Sequence, residues 1–417
     1  MRVLHLSTFD IRGGAARGAY WLHRALCDAG LDSQMLVGRK YGSDPTVIEL
    51  REPLHRLASA VRGRLDGLPL RGYRKTRDSF WTIGWLPDRI NSIVAAHGPD
   101  IVHLHWTGGG FLSVDTVRNL PCPVVWTLRD MWAFTGGCHY TAGCERFTRA
   151  CGHCPQLRSA NENDLSRRLW RRKQSSWSSS KLRLVPISSW LADCARRSGV
   201  FPHAAIEVIP NGIDTTRFRP YDRSKSKADW NLSPDRRHIL FGAVNGVEDT
   251  RKGFRHMLDA AAVLSASRDA DRLELVVFGG AAPETLGHVG IPIRCVGQVG
   301  DDDALARLYS ACDVMVVPSE QEAFGKTLVE AMACGTPAVA FANGGPIDII
   351  RHGLSGYLAE PFCAHSLAAG ILHCIDHDER ARRLGREARL RAVREFEIDA
   401  VAARYRTLYS SILSEAA

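Results

Sequence analysis

Residues 318–337 read Pro-Ser-Glu-Gln-Glu-Ala-Phe-Gly-Lys-Thr-Leu-Val-Glu-Ala-Met-Ala-Cys-Gly-Thr-Pro and carry two carboxylates, Glu322 and Glu330, with seven residues between them. The run before them, Asp313 to Pro318, is short, β-branched and stopped by proline, which predicts a buried parallel strand. The run after Gly325 has helical periodicity through Leu328 and Met332 and stops at Gly335-Thr336-Pro337. Glu322 thereby falls on a strand-to-helix loop, at the carboxyl end of a strand, where open α/β sheets bind ligands. Glu330 falls about a turn and a half into the helix. A loop carboxylate accepts hydrogen bonds from hydroxyls, free amides at a helix start meet an anion, and a helix carboxylate suits a diol.

The rest of the chain fits a soluble α/β protein. Its 417 residues are enough for two or three domains, and 45% apolar with 24% charged residues is ordinary for a globular chain. No apolar stretch approaches the roughly 20 residues of a membrane span. The start, Met1 to Ser7, runs directly into a strand-like segment without a signal-peptide pattern, which predicts a cytoplasmic location and reduced cysteines.

A strand at Val3 to Ser7, a loop to Gly14, a helix from about Ala15 to Cys27 and a strand at Ser33 to Gly38 predict a Rossmann-like unit. The loop Gly13-Gly14-Ala15-Ala16-Arg17-Gly18 departs from G-x-G-x-x-G, so a nicotinamide dehydrogenase has little support. Adjacent glycines let backbone amides approach an oxyanion at a helix start; a tight turn without a ligand is the alternative. Further strands are expected at Ile101 to Trp106, Val124 to Leu128 and Leu182 to Ser188. His103 and His105 alternate along one face, with His105, nearer the strand end, the ligand candidate and a hydrogen-bonded core histidine the alternative.

A second domain opens with a strand at His238 to Val244, and Asp249-Thr250-Arg251-Lys252-Gly253-Phe254 then leads a helix through about Ser267. Two adjacent cations at a helix entrance oppose the dipole unless an anion sits there, which singles out Arg251 and Lys252; a solvated pair is the alternative. Strands at Glu274 to Gly280, Ile293 to Val299 and Ala338 to Ala342 continue the β/α order, with a hairpin-type turn and strand over Gly353 to Leu358. The tail from Phe396 to Leu413 is helical, with Val401, Tyr405, Leu408 and Ile412 on one face.

The Ser319 to Pro337 block resembles the E-x7-E signature of retaining glycosyltransferases of the GT-B fold, family 4 (glycosyl transferases group 1). An isolated E-x7-E would be two surface charges, but the flanking Pro-Ser, Phe-Gly and Glu-Ala-Met-Ala-Cys-Gly-Thr-Pro carry the resemblance. Pro210-Asn211-Gly212-Ile213-Asp214 is similar to the family's interdomain connection. The resemblance implies two Rossmann-like domains facing across a cleft, over 1–204 (acceptor, with a Cys-rich insertion at 136–156) and 205–395 (nucleotide-sugar donor), with a helix at 396–417 crossing back. It also implies catalytic roles for Arg251, Lys252 and Glu322. Donor contacts follow for Gly13, Gly14, Phe324, Gly325, Lys326 and Glu330, and acceptor contacts for His105, Arg129 and Asp130. Two departures stand out. Arg129 occupies the place of a family histidine and cannot act as a base, although it can hold an acceptor anion bidentately. The family's separate arginine is missing from Ala243-Val244-Asn245-Gly246, so Arg251 is expected to substitute.

Cys138, Cys144, Cys151 and Cys154 give C-x5-C-x6-C-x2-C in a Gly-rich stretch that also holds His139 and His153. In a reducing compartment this density suits structural zinc, with disulfides or free thiols as alternatives; no catalytic cofactor is expected. The net charge of +9 is concentrated. Arg51 to Arg77 holds eight basic residues against Glu52 and Asp66, beside Leu54, Leu57, Val61, Leu65 and Leu68 at helical spacing. Arg167 to Arg183 holds seven basic residues and no acid, interleaved with Trp170 and Trp177. Contact with an anionic membrane at the inner face of the cytoplasmic membrane, or a solvated face, fits these stretches; no nucleic-acid motif accompanies them. The Cys-rich insertion and His-Leu-His-Trp segment resemble a subgroup of bacterial exopolysaccharide (colanic-acid-type) enzymes, implying a saccharide or lipid-linked acceptor. A GT-B sugar-nucleotide epimerase and a non-catalytic nucleotide-sugar-binding scaffold at the membrane are the alternatives.

Overall fold

The computed structural model describes residues 1–50, 61–74, 76, 80–178, 182–242, 248–280 and 289–416. The chain divides into two compact units, Met1–Gly212 with Val401–Ala417, and Ile213–Ala400.

The first unit holds β1 (Arg2–Phe9), α1 (Gly14–Asp28), β2 (Asp32–Arg39), β3 (Val47–Glu49), β4 (Ile101–Leu104), β5 (Val124–Leu128), α2 (Leu165–Trp177), β6 (Leu182–Pro186) and β7 (Ala205–Ile206). Its seven strands lie in the order β3-β2-β1-β4-β5-β6-β7, and every pairing is parallel. Val3 to Thr8 of β1 are all buried, as a parallel strand covered on both faces must be, which is why its sequence shows no polar alternation. In α2 the side chains of Trp170, Lys173 and Trp177 are buried. The tryptophans of that basic stretch are therefore core residues and offer no stacking surface to bases. Of the other basic stretch, residues 51–60, 75 and 77 lie outside the described residues. Arg62 there donates to the Gly110 and Pro87 carbonyls (both 2.9 Å), and Asp66 is buried against the amides of Ile83 and Gly84.

The second unit holds β8 (Arg237–Gly242), α3 (Phe254–Leu264), β9 (Leu273–Phe278), β10 (Ile293–Gly297), α4 (Asp302–Ala311), β11 (Val314–Val317), α5 (Lys326–Ala333), β12 (Ala338–Phe341), β13 (Gly356–Ala359) and α6 (Asp378–Phe396). The strand order is β10-β9-β8-β11-β12-β13, again parallel throughout. Asp301 caps α4 by accepting from Ala304 N (2.8 Å). β13 runs parallel to β12, so the turn at 352–356 is not a hairpin connection. The helix expected from Asp249 is instead a 3-10 turn at Thr250–Lys252 followed by α3, because Gly253 takes φ +73° between them. Residues 243–247, which include the place of the family's separate arginine, lie outside the described residues.

The last helix, α7 (Ile398–Ala416), buries Val401, Tyr405, Leu408 and Ile412, and from Val401 onward it belongs to the first unit. Tyr409 Oη pairs with His103 Nδ1 (2.6 Å), and Tyr405 Oη with Thr127 Oγ1 (2.7 Å). The boundary placed at 204/205 from sequence lies at 212/213. The reason is that Ala205 and Ile206 extend the first sheet's ladder beside Arg183 and Leu184. Likewise the split at 395/396 falls at 400/401, since α6 stays with the second unit to its end.

Both sheets reverse their strand order beside the unit's first strand, at β1/β4 and at β8/β11. Such switch points open a crevice at the carboxyl ends of the strands.

Candidate functional site

In the second unit the switch point is furnished by the loops after β8 and β11. Lys252, on the 3-10 turn, places Nζ 2.6 Å from Glu322 Oε2. Arg251 donates to the Gln321 carbonyl (3.0 Å) and pairs with Asp249 (2.8 Å). The two cations thus sit before the helix rather than in its first turn, and Asp249 and Glu322 meet their charge, so the dipole conflict expected from sequence does not arise. Glu322 is buried, which by itself would raise its carboxyl; Lys252 first, then Arg251 and the Phe324 amide outweigh this and hold it below the ordinary range.

Gly325 begins α5 at φ +103°, and the helix has neither a capping side chain nor an acid in its first turn. That leaves its first amides for an anion. The loop after β12 closes on the same place: Gly345 N donates to the Glu322 carbonyl (2.9 Å) and Asn343 Nδ2 to the Glu320 carbonyl (2.7 Å). A Cβ on Gly344 would stand 2.5 Å from the Glu322 carbonyl oxygen, so this approach demands glycine. Glu330 is 2% exposed, with one oxygen accepting from Tyr309 Oη (2.9 Å) and the other 3.2 Å from Lys326 Nζ. Tyr309 was missed from sequence, since only the fold brings α4 against α5.

In the first unit Gly13 and Gly14 open α1 with no atom within 4 Å of an added Cβ, no capping side chain and no acid in the first turn. The same unit holds a chain of buried imidazoles. Arg129 Nη2 donates to His105 Nδ1 (3.4 Å), and His105 Nε2 donates to His5 Nδ1 (2.8 Å), which leaves His5 Nε2 without a partner. Burial, then the neighbouring positive groups, keep His5 and His105 far below the usual imidazole range and therefore neutral. His105 is thus a bonded core histidine, the alternative allowed from its strand position. Arg129 also donates from Nη1 to Asn211 Oδ1, and burial lowers its guanidinium to about 10. Its terminal nitrogens turn inward, so the fork expected to meet an acceptor is engaged within the unit; Nε is buried without a partner.

Asp130 adjoins a pocket lined by Trp106, Gly108, Arg129, Trp132 and His139. Its Oδ2 accepts from His139 Nδ1 (2.6 Å) and Trp106 Nε1 (2.9 Å), and Oδ1 accepts from the Trp132 amide (2.9 Å). Burial would raise this carboxyl, but His139 and these donors hold it below the ordinary range. His139 Nε2 in turn accepts from Thr82 Oγ1 (2.9 Å). Neither His139 as a partner of Asp130 nor Thr82 as a partner of His139 was legible, because these contacts depend on the fold of the Cys-rich segment. Cys138, Cys144, Cys151 and Cys154 line one further pocket, and all four are free thiols.

Among the described residues no helix is long and apolar enough to cross a membrane. The family description "Glycosyltransferase Family 4" matches residues 12–217 and "Glycosyl transferases group 1" matches residues 222–391. The chain is 31% identical to the D-inositol 3-phosphate glycosyltransferase of Thermobispora bispora over 51% of this chain and 52% of that one. It is 26% identical to the N-acetyl-alpha-D-glucosaminyl L-malate synthase of Bacillus anthracis over 52% and 56%. It thus spans about half the length of these relatives. Among solved structures, sucrose-phosphate synthase from Thermosynechococcus elongatus superposes with TM-score 0.70 at 21% identity, covering 100% of both chains. HepE of Anabaena, in complex with UDP-glucose, gives 0.66 at 17% identity over 99% of this chain and 100% of that one.

Proposed function

We infer that this chain, which carries both glycosyltransferase domains and the GT-B fold, transfers a sugar from a nucleoside-diphosphate sugar to an acceptor, with retention and without a catalytic metal. The observation that carries this is the Lys252–Glu322 pair at the β8/β11 switch point, beside the uncapped start of α5. A departing nucleoside diphosphate accumulates negative charge, which fixed donors stabilise most when they are already oriented. Lys252 is held by Glu322 in that orientation, with the α5 amides next to it. Attack from the face of departure lets the leaving phosphate take the acceptor proton, so a protein base is not required. Retention follows from the family resemblance rather than from any distance.

The donor reading is supported by the UDP-glucose complex of HepE. In this reading Glu330 meets the ribose, held in place by Tyr309 and Lys326. Glu330→Gln should raise the apparent donor constant by the equivalent of about 1–3 kcal/mol while changing turnover little. Steady-state kinetics with the donor varied checks this, and an unchanged donor constant removes the ribose role.

On the acceptor side Asp130, oriented by His139 and Trp106, is the hydroxyl-binding group. We assign the acceptor to bacterial exopolysaccharide or cell-surface glycan assembly, as a saccharide or lipid-linked sugar handled at the inner membrane face. The second reading is a small anionic acceptor. It is favoured by the unpartnered Arg129 Nε and by the names of the relatives, which cite inositol 3-phosphate and L-malate. A thermal-shift screen of UDP- and GDP-sugars identifies the donor, because ligand binding raises stability by mass action. Acceptor assays with a lipid-linked saccharide and with a phosphorylated polyol then separate the two readings. NMR of early product should show the donor's anomeric configuration, at a rate that EDTA does not change. An inverted product, or activity only with added Mg²⁺ or Mn²⁺, overturns the mechanism.

A further inference from the structure

Cys138, Cys144, Cys151 and Cys154 are spread over seventeen residues of mostly irregular chain (138–154) yet face one pocket beside Trp81 and Phe147. The backbone that brings them there is strained. Ala142, Ala150, Cys151 and His153 all take positive φ, between 46° and 63°, a conformation non-glycine residues hold only where the surroundings over-determine it. Regular structure in this stretch amounts to the 3-10 turn Arg146–Arg149.

The sulfurs are already provided with donors. Cys154 Sγ accepts from the amides of Leu157 and Gln156, and Cys151 Sγ from the Gly136 amide. Burial raises both thiols, Cys151 to about 12, and these amides oppose that rise. The decisive feature is Lys173, whose side chain is fully buried in α2. Nζ donates to the carbonyls of Trp132 and Thr135 and lies 4.0 Å from the centroid of the Trp132 ring. Burial pulls its ammonium down to about 7, opposed by Cys138 and Cys151 ahead of Asp130 and Asp66, and among the described residues no carboxylate lies within 4.0 Å of it. A buried ammonium without an anion is costly. Four thiolates around a divalent cation carry two net negative charges, which supplies the missing anion.

We propose that Cys138, Cys144, Cys151 and Cys154 bind one structural Zn²⁺ tetrahedrally, with Lys173 as its buried counter-charge. Binding breaks four S–H bonds, releases four protons to solvent and forms four Zn–S bonds, with no change in oxidation state. With all four positions filled by protein the metal has no site for substrate. It fixes the segment that carries His139, and through His139 the Asp130 pocket. Among the described residues only the ring nitrogens of His5, His103 and His105 already lie within 4.8 Å of one another, so the four sulfurs must draw in around the ion. The histidine group is not a rival: both His103 nitrogens are taken by Tyr409 and Thr127, and Arg129 stands beside His105.

Protein purified with its thiols reduced and without chelator should contain about one zinc per chain by elemental analysis. Exchange with Co²⁺ should give the intense visible absorption of a tetrahedral thiolate complex. Cys144→Ser, at the half-buried position, should lose both signals even if Cys138→Ser fails to fold. Lys173→Gln should weaken zinc about 10–100-fold in competition with a chromophoric chelator. Reduced protein that takes up neither zinc nor cobalt, or mass spectrometry showing these cysteines paired in disulfides, overturns the site. Unchanged zinc affinity in Lys173→Gln overturns the counter-charge.

Discussion

Lys252→Ala is expected to reduce sugar transfer by about 10²–10³ in turnover, the loss typical of removing one preorganised donor from a developing anion. The donor constant should change far less, because the charge that Lys252 meets grows during departure of the leaving group. The same substitution leaves Glu322 buried with only Arg251 and the Phe324 amide to offset its desolvation. In the wild type the Glu322 carboxyl titrates below its ordinary 4.5, so its contribution to stability is fully present above that value and fades as the pH falls through the depressed one. Without Lys252 the carboxyl rises, and acid unfolding should begin at higher pH. Lys252→Arg should recover part of the rate, because charge returns in an altered geometry. Turnover within threefold of wild type in Lys252→Ala would show that the lysine only neutralises Glu322.

Gly253→Ala should be the most damaging small substitution in the second unit. A Cβ there would stand 1.9 Å from the Pro318 carbonyl oxygen, and the residue holds φ +73°. Backbone opposes the new atom, so relief requires the loop after β8 to part from the end of β11. The expected cost is at least about 3 kcal/mol, combining left-handed strain with a clash that no rotamer change relieves. Gly300→Ala is the control, with no atom within 4 Å of its Cβ and no positive φ. Thermal unfolding of the two variants checks this. Equal melting temperatures would mean that the Gly253 approach is not required. Surviving folded Gly253→Ala protein should also lose activity, since the displaced loop carries Lys252.

Much of the fold was legible because parallel strands and amphipathic helices write their own patterns. The β-branched run ending at Pro318 became β11, the Leu328–Met332 period became α5, and Val401, Tyr405, Leu408 and Ile412 marked the buried face of α7. Glu322, Glu330 and Lys252 could be singled out because residue type and spacing within one short segment carried the signal.

What sequence could not supply was partnership over long separations. The Arg251-Lys252 step looked like an uncompensated charge at a helix start. Only the β8/β11 switch point brings Glu322, seventy residues later, to Lys252. His105 was a ligand candidate with a bonded core histidine as the alternative, and Arg129 an expected acceptor contact; the adjacency of β1 and β4 gives His105 to His5, and the approach of Asn211 turns Arg129 inward. The basic, tryptophan-bearing stretch looked like a surface; the packing of α2 made its aromatics and Lys173 interior. Strand order, register and the sign of a residue's surroundings depend on which segments become neighbours, a property of the whole sheet. The residue chemistry was therefore determined locally by the sequence, while the tertiary structure decided which charges were already satisfied and which were left for a ligand.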